Sequence, residues 1–89
     1  MRHVLKTDSV PFEDVWAGRK TFEIRRNDRG FEVGDELVLM ETHKECEGLM
    51  DLVFTGRHVC ARVTYALYAG YGVPDGFCIM SIVEVSRSA

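Results

Sequence analysis

A row of polar side chains lies in the basic segment 18–29. Thr21, Glu23 and Arg25 alternate with apolar residues, so on an extended strand they project from one face with neighbours about 7 Å apart. Such a row suits the edge of a nucleobase, with Glu23 accepting from an exocyclic amine and Arg25 or Arg29 binding phosphate. The alternative is an ion pair on a solvated sheet face, which contributes about 0–1 kcal/mol.

The charge is unevenly distributed along the chain. There are 11 Lys and Arg against 14 Asp and Glu, and this net charge of −3 argues against a general nucleic-acid coat protein. Residues 19–29 nevertheless contain five basic and two acidic side chains, whereas residues 41–51 contain four acidic and one basic. The basic patch can attract an anion, and the acidic loop 41–51 can bind a protein partner. The alternative for both segments is a solvated charged surface.

Length and composition indicate one globular domain over residues 1–89. Of the 89 residues, 46% are hydrophobic and 28% charged, which is typical of a folded domain and too apolar for disorder. The apolar runs span only a few residues, against the ~20 of a membrane helix, and the first residues lack a signal-peptide core. The three cysteines, Cys46, Cys60 and Cys78, are too widely spaced for a CxxC motif or a disulfide framework. We therefore expect a soluble cytoplasmic protein with reduced, packed thiols.

The residue pattern predicts one short helix and five strands. Phe12, Val15 and Trp16 follow one another at helical spacing, which predicts a packed helix over residues 8–17 with Trp16 in the core. Alternation of apolar and polar residues predicts strands over 3–7, 19–26, 36–42, 57–67 and 77–85.

The strands differ in how they are expected to be buried. Residues 19–26 form a half-buried strand with Phe22 and Ile24 on one face. Residues 36–42 carry apolar side chains on both faces, which indicates a central strand. The fourth strand carries on one face Val59, Ala61, Val63 and Tyr65. We expect Tyr65 to belong to the core; the alternative is that it joins Tyr68 and Tyr71 in a platform on which bases stack.

The predicted elements favour a mainly β (α+β) fold. Residues 43–54 are the least regular stretch and are interpreted as an acidic loop with room for a helical turn at 48–53. Five short strands hide their edges best by closing on themselves. We therefore expect a small five-stranded pseudobarrel with one short N-terminal helix plugging one end.

The motif Gly18-x-Lys20-x-x-Glu23-x-Arg25, with Gly34-Asp35 after it, resembles the signature of ASCH domains in the PUA-like superfamily, in particular a group of short bacterial and phage ASCH-like proteins of unknown function. The resemblance spans nearly the whole chain and departs mainly at residues 43–54. Further matching segments are His3-x-Leu5-Lys6, 20–25, 27–29, 33–35, 55–57 and 76–77.

The resemblance implies a PUA-like pseudobarrel with a cleft beside the helix. Lys20, Glu23 and Arg25 would line this cleft, and the implied role is the binding of RNA or a modified nucleotide. The leading hypothesis is a non-catalytic module that binds single-stranded RNA or a nucleotide-like ligand through Lys20, Glu23, Arg25, Asn27 and Arg29.

The same superfamily implies an alternative, a small amidohydrolase acting on N4-acylcytidine nucleosides through a Lys, a Thr nucleophile and a distant Glu. Lys20 matches the lysine, Glu23 occupies the position of the nucleophile, and the distant Glu has no clear counterpart. Thr21 supplies a hydroxyl beside Lys20, but strand alternation points these two side chains to opposite faces. The catalytic candidates, if the protein is an enzyme, are Lys20, Thr21 and Glu23.

Four residues outside the motif are further binding candidates. His3 and Lys6 join the cleft if the first strand lines it, or else are an edge histidine and a surface lysine. Arg57 follows a turn and either clamps phosphate or is solvated. Tyr71, in the Gly-rich loop 69–76, is a candidate for stacking on a base.

The sequence gives little support for a metal site and none for a cofactor. His43 and Cys46 offer two metal ligands, as do His58 and Cys60, but a structural zinc site needs four converging groups. The Gly-rich loop is too short to hold phosphate as a GxGxxG motif does.

Overall fold

A computed structural model describes residues 1–44 and 52–89. The elements in chain order are β1 (Arg2–Asp8), α1 (Ser9–Trp16), β2 (Phe22–Arg26), β3 (Glu36–Lys44), β4 (Leu52–Leu67) and β5 (Phe77–Ser88). The strands form one five-stranded sheet in the order β1-β3-β4-β5-β2, in which only β1 and β3 pair in parallel. The sheet curls into a small mainly β pseudobarrel with one short helix, as the sequence predicted.

The strand β3 lies in the interior of the sheet, between β1 and β4. Leu37 and Leu39 are fully buried on its inner face, and Val38 on the other face is only 7% exposed. The prediction of a central strand with apolar residues on both faces is confirmed.

The stretch 43–54 is more regular than the sequence predicted. His43 pairs with Val53 and Thr42 with Phe54, so β3 and β4 extend as a hairpin arm into the expected loop. The expected helical turn at 48–53 is wrong for its last two residues, because Leu52 and Val53 belong to β4. Residues 45–51 lie outside the described residues. Pairing across the hairpin stabilises strands that neither segment's own pattern indicates.

A register shift in β4 reverses the predicted position of Tyr65. Val59, Ala61 and Val63 are buried on the inner face, as expected, but the pairing with β5 shifts between Val63 and Tyr65. An extra residue in one strand turns the following side chain to the opposite face. Tyr65 is therefore 59% exposed rather than part of the core.

The buried face of β2 is its polar face. Phe22 and Ile24 are 47% and 50% exposed, whereas Glu23 between them is 2% exposed. The register explains this orientation, because Glu23 lies opposite Met80, a fully buried residue of β5. Apolar alternation therefore indicated the wrong side of β2, and the burial of Glu23 requires compensating partners.

The helix closes one end of the curled sheet. Phe12 and Val15 are buried in the core, and Trp16 packs against it while remaining half-buried, so its predicted core position is confirmed only in part. The helix ends at Trp16, and Gly18 follows in the left-handed region with φ of 81°. This sharp end returns the chain to the sheet at β2.

Two further expectations concern the cysteines and the membrane. Cys60 and Cys78 are buried free thiols, and burial raises the pKa of Cys78; Cys46 lies outside the described residues. In the described ranges 1–44 and 52–89, the single helix has eight residues and cannot cross a bilayer.

The packing of α1 gives a first prediction. We expect Phe12→Ala to lower the free energy of unfolding by about 3–5 kcal/mol, because a fully buried ring leaves a cavity. Urea titration measures the change. The control, Val10→Ala, removes a side chain on the same helix that is 80% exposed and should change stability by less than about 0.5 kcal/mol. Equal effects of the two substitutions would contradict this role of Phe12.

Candidate functional site

The two edge strands, β1 and β2, face each other across the opening of the pseudobarrel. Their order in the sheet places them at opposite ends of the hydrogen-bonded ladder. Arg25 of β2 donates from Nη1 to the Lys6 carbonyl oxygen at 3.1 Å and from Nη2 to Thr7 Oγ1 at 3.0 Å. Arg29 donates to the Val4 carbonyl oxygen at 3.0 Å. Arginine side chains thus take the place of a backbone ladder between these strands.

Glu23 lies beneath this opening and holds two cations. Its Oε1 accepts from Arg25 Nε at 2.9 Å, and its Oε2 accepts from the Lys20 ammonium. Lys20 also donates to the Phe22 carbonyl oxygen. The two ion pairs compensate for burying the carboxylate. Two basic groups around one acid leave the cluster with a net positive charge.

A cleft of about 270 Å³ opens between β1, the first turn of α1 and β2. It is lined by Lys6, Thr7, Asp8, Pro11, Lys20, Glu23, Ile24 and Arg25. Three of these residues are basic and two are acidic, and Pro11 and Ile24 contribute apolar wall. The cleft can therefore accept an anionic ligand with a flat or apolar part.

Four of the residues singled out in the sequence meet in this cleft: Lys6, Lys20, Glu23 and Arg25. Sequence reasoning missed Thr7, Asp8, Pro11 and Ile24. Alternation along β1 carried the signal for Thr7, because His3, Leu5 and Thr7 are its buried positions. The other candidates, which are His3, Asn27, Arg29, Arg57 and Tyr71, do not line the cleft.

The His3 side chain is buried on the inner face of β1, where it supports the fold. Its Nε2 lies 2.8 Å from Asp35 Oδ2, and its ring packs edge-on against Phe31 with centroids 4.7 Å apart. Burial by itself would raise the pKa of Asp35, but hydrogen bonds from His3, the N-terminal amine and the Glu32 amide hold it below its ordinary value.

Asn27 and Arg29 organise the turn that leaves β2. Asn27 Oδ1 accepts from the Phe31 amide at 3.0 Å, and the Asn27 amide donates to the Gly76 carbonyl oxygen at 2.7 Å. Arg29 is exposed while bonded to β1. These contacts fix the end of β2 beyond the cleft.

Arg57 forms a separate cluster at the helix. It donates from Nε to Glu41 Oε1 at 2.8 Å and from Nη2 to Glu13 Oε2 at 2.8 Å, and its guanidinium lies 4.9 Å from the centre of the Trp16 ring. Hydrogen bonding to Arg57 lowers the pKa of Glu41 from 4.5 to about 2. Glu41, from the predicted acidic loop, is therefore an internal ion-pair partner.

Tyr71 lies in a tight turn that follows β4. Gly70 and Val73 form the bridge of this turn, and Tyr71 within it has φ of 53° and a side chain 91% exposed. Its ring is available for contact with other molecules, but it lines no part of the cleft.

The three catalytic candidates, Lys20, Thr21 and Glu23, do not all line the same hollow. Thr21 is exposed and borders a second hollow of about 70 Å³ together with Val59, Ala61 and Glu84. Lys20 borders both hollows, whereas Glu23 belongs to the large cleft. Thr21 and Glu23 therefore face different spaces, although alternation predicted that they share one face of the strand. The predicted strand 19–26 begins only at Phe22, so alternation does not govern Lys20 and Thr21, which border the small hollow together.

Two further features of the sequence are the candidate metal ligands and the acidic loop. In the part of the chain that the structure describes, no three His, Cys, Asp or Glu side chains converge as a metal site would require. Most of the acidic loop, residues 45–51, lies outside the described residues, so its binding of a protein partner stays a prediction.

Comparison with known proteins identifies the family. Over residues 2–82 the sequence matches the family described as Domain of unknown function (DUF3850), and the chain belongs to this family. It is also 42% identical over 62 residues to the "Uncharacterized 12.9 kDa protein in GpA 3'region" of Escherichia phage P2. That match covers 70% of this chain and 50% of the relative, so the chain spans about half the length of the curated protein it matches.

Glu23 gives the second prediction. We expect Glu23→Gln to lower the free energy of unfolding by about 1–3 kcal/mol, because Lys20 and Arg25 lose a charged acceptor at a buried position. Urea titration measures the difference. Glu36→Gln is the matched control, since Glu36 pairs with an exposed Arg2 at 3.3 Å, and it should change stability by less than about 0.5 kcal/mol. A Glu23 variant as stable as the control would contradict the role given to this carboxylate.

The third prediction concerns acid unfolding. Because the pKa of Glu41 is lowered to about 2 in the folded protein, its ion pair stabilises the fold fully above pH 4.5 and is lost as the pH falls toward 2. Arg57→Met removes the partner, so the stability difference between wild type and this variant should shrink across that interval. Urea titrations at several pH values measure it. A difference that stays constant from pH 7 to pH 2 would contradict the coupling.

Proposed function

We propose that this protein is a non-catalytic module that binds single-stranded RNA or a nucleotide-like ligand in the cleft between β1 and β2. The observation that carries the proposal is the convergence of Lys20, Glu23 and Arg25 on one concave space of about 270 Å³. Lys6 stands at the rim of the same space, exposed.

The donors in the cleft suit an anionic, planar ligand. An ammonium has three N–H donors and a guanidinium five. Lys20 uses two of its donors, on the Phe22 carbonyl oxygen and on Glu23. Arg25 uses three of its five donors, one on Glu23 and two on β1. The remaining donors can bind phosphate or a base carbonyl, while Glu23 orients both cations and retains lone pairs for an exocyclic amine.

The proposal includes the classification of this protein as an ASCH domain with a PUA-like fold. The motif resembles that of ASCH domains, and a curled five-stranded sheet with the motif beside its helix supports a PUA-like fold. Buried free thiols at Cys60 and Cys78 support a reducing, cytoplasmic location.

The contacts of the hydroxyl groups give the amidohydrolase alternative no support. An acyl-transferring hydroxyl needs a base within hydrogen-bond reach. Thr21 borders the small hollow together with Lys20, but the Lys20 ammonium donates to Glu23 and to the Phe22 carbonyl oxygen and so does not act as its base. The Thr7 hydroxyl accepts from Arg25, which is a permanent cation. We therefore retain binding without catalysis.

The fourth prediction tests the proposal by the salt dependence of RNA affinity. Binding of a fluorescein-labelled, mixed-sequence RNA octamer should weaken as salt rises, because phosphate contacts release counterions. Lys6→Met should reduce the magnitude of the slope of log K against log salt by about 0.7, the value for one phosphate contact to a single strand. Fluorescence anisotropy at several salt concentrations measures both.

Arg2→Met is the matched control for that titration. Arg2 lies on the same strand, roughly 13 Å from Lys6, and pairs with Glu36 instead of lining the cleft. It should leave the slope unchanged. Binding that ignores salt, equal effects of the two substitutions, or no binding of any octamer or nucleotide would refute the proposal.

A further inference from the structure

The outer face of the sheet carries an exposed row of two aromatic rings separated by a serine. Phe22 on β2 lies directly opposite Ser81 on β5, and Ser81 lies directly opposite Tyr65 on β4. Directly opposed residues point to the same face. Phe22 is 47% exposed and Tyr65 59%, so both rings reach solvent on either side of the small Ser81.

The spacing of this row suits a planar ring. Neighbouring strands lie about 4.8 Å apart, so the backbones of Phe22 and Tyr65 are roughly 9.6 Å apart. A ring placed over Ser81 would lie about 4.8 Å from each aromatic residue, within the ~4.5–7 Å between the centroids of interacting aromatic rings. A larger central side chain would fill this position.

The neighbouring rows extend the apolar surface and give it positive charge. Ile24 and Ile79 form the adjacent row, and the exposed Arg26 lies opposite Phe77 with its guanidinium 5.0 Å from the ring centre. Arg62, also exposed, lies beyond the aromatic row, opposite Val83 on one side and opposite Glu36, the partner of Arg2, on the other. The charged side chains of this face within residues 22–26, 62–67 and 77–83 are these two arginines.

The outer face is continuous with the cleft. Glu23 and Phe22 are successive residues whose side chains point to opposite sides of β2, so this strand is the wall between the two surfaces. Lys20 contacts both, because its ammonium binds Glu23 and lies 4.8 Å from the centre of the Phe22 ring.

We propose that the aromatic row Phe22-Ser81-Tyr65 is a stacking platform for bases of a single-stranded nucleic acid whose neighbouring nucleotide occupies the cleft. The inference rests on the proposed function and names its substrate class as an oligonucleotide instead of a free mononucleotide. Bases stack on exposed aromatic rings whatever their sequence, and the flanking arginines complement the charge of the phosphates.

The fifth prediction separates the platform from the cleft. Phe22→Ala and Tyr65→Ala should each weaken binding of the RNA octamer by about fivefold to a hundredfold, the range expected for one lost stacked base. Affinities for the four ribonucleoside 5′-monophosphates should change by less than about twofold, because a mononucleotide occupies the cleft alone. Fluorescence anisotropy and isothermal titration calorimetry measure the two affinities.

Three further variants control for loss of apolar surface. Phe54→Ala removes a ring that is 50% exposed on the β3–β4 arm and should leave octamer binding unchanged. Phe22→Leu keeps an apolar side chain without a ring and should weaken octamer binding as Phe22→Ala does. Tyr65→Phe keeps the ring and should bind the octamer as the wild type does. Thermal unfolding confirms that each variant is folded.

The outcomes distinguish the two proposals. In one outcome, the octamer and the mononucleotides bind, and Lys6→Met reduces the salt slope of octamer binding, but the Phe22 and Tyr65 variants bind the octamer as tightly as Phe54→Ala does. The platform is then refuted and the cleft stands. If the octamer binds through the two rings and no mononucleotide binds, the cleft fails and the platform stands. If no ligand binds, or if sedimentation shows dimers that the Phe22 and Tyr65 variants abolish, the platform is refuted.

Discussion

The structure depends on a buried carboxylate that holds two cations at the opening of a curled sheet. Arg25 bonds at one end to Glu23 and at the other to the backbone and side chain of β1, so one guanidinium joins the two edge strands. Lys20 neutralises the second carboxylate oxygen. Without these pairs, Glu23 would be an uncompensated charge against Met80 in the core, and burying it would cost several kcal/mol, an order of magnitude set by the solvation of ions.

The same arrangement explains why a cleft exists at all. Had β1 and β2 paired through their backbones, the sheet would be closed and the space between them filled. Long side chains span the distance instead, leaving a cavity whose walls carry the donors that hold the strands together. Because β2 turns Glu23 and Arg25 inward, its apolar residues Phe22 and Ile24 are left on the outer face. The cleft and the aromatic row are thus two consequences of one strand orientation.

Local pattern was sufficient for some features and insufficient for others. Helical spacing located α1, and continuous apolar residues marked β3 as an interior strand. The motif that contains Lys20, Glu23 and Arg25 identified three lining residues of the cleft, whereas spacing alone had placed Thr21 with Glu23 and Arg25. The inward face of β2 was not predictable from its own alternation, because the partners of Arg25 lie 18 and 19 residues away in β1. The exposure of Tyr65 depends on a register shift against β5, which no local pattern reveals.

The central claim is that the Lys20-Glu23-Arg25 cluster forms a binding surface as well as a structural bridge. The most direct measurement is a nuclear magnetic resonance titration of nitrogen-15-labelled protein with nucleoside 5′-monophosphates, following the Arg25 Nε–H signal and the amides of Lys6 and Thr7. The account predicts saturable shifts at these three positions, with the Arg57 Nε–H signal unchanged as an internal reference. Shifts confined to other surfaces, or none at any concentration, would leave the cluster with a structural role alone.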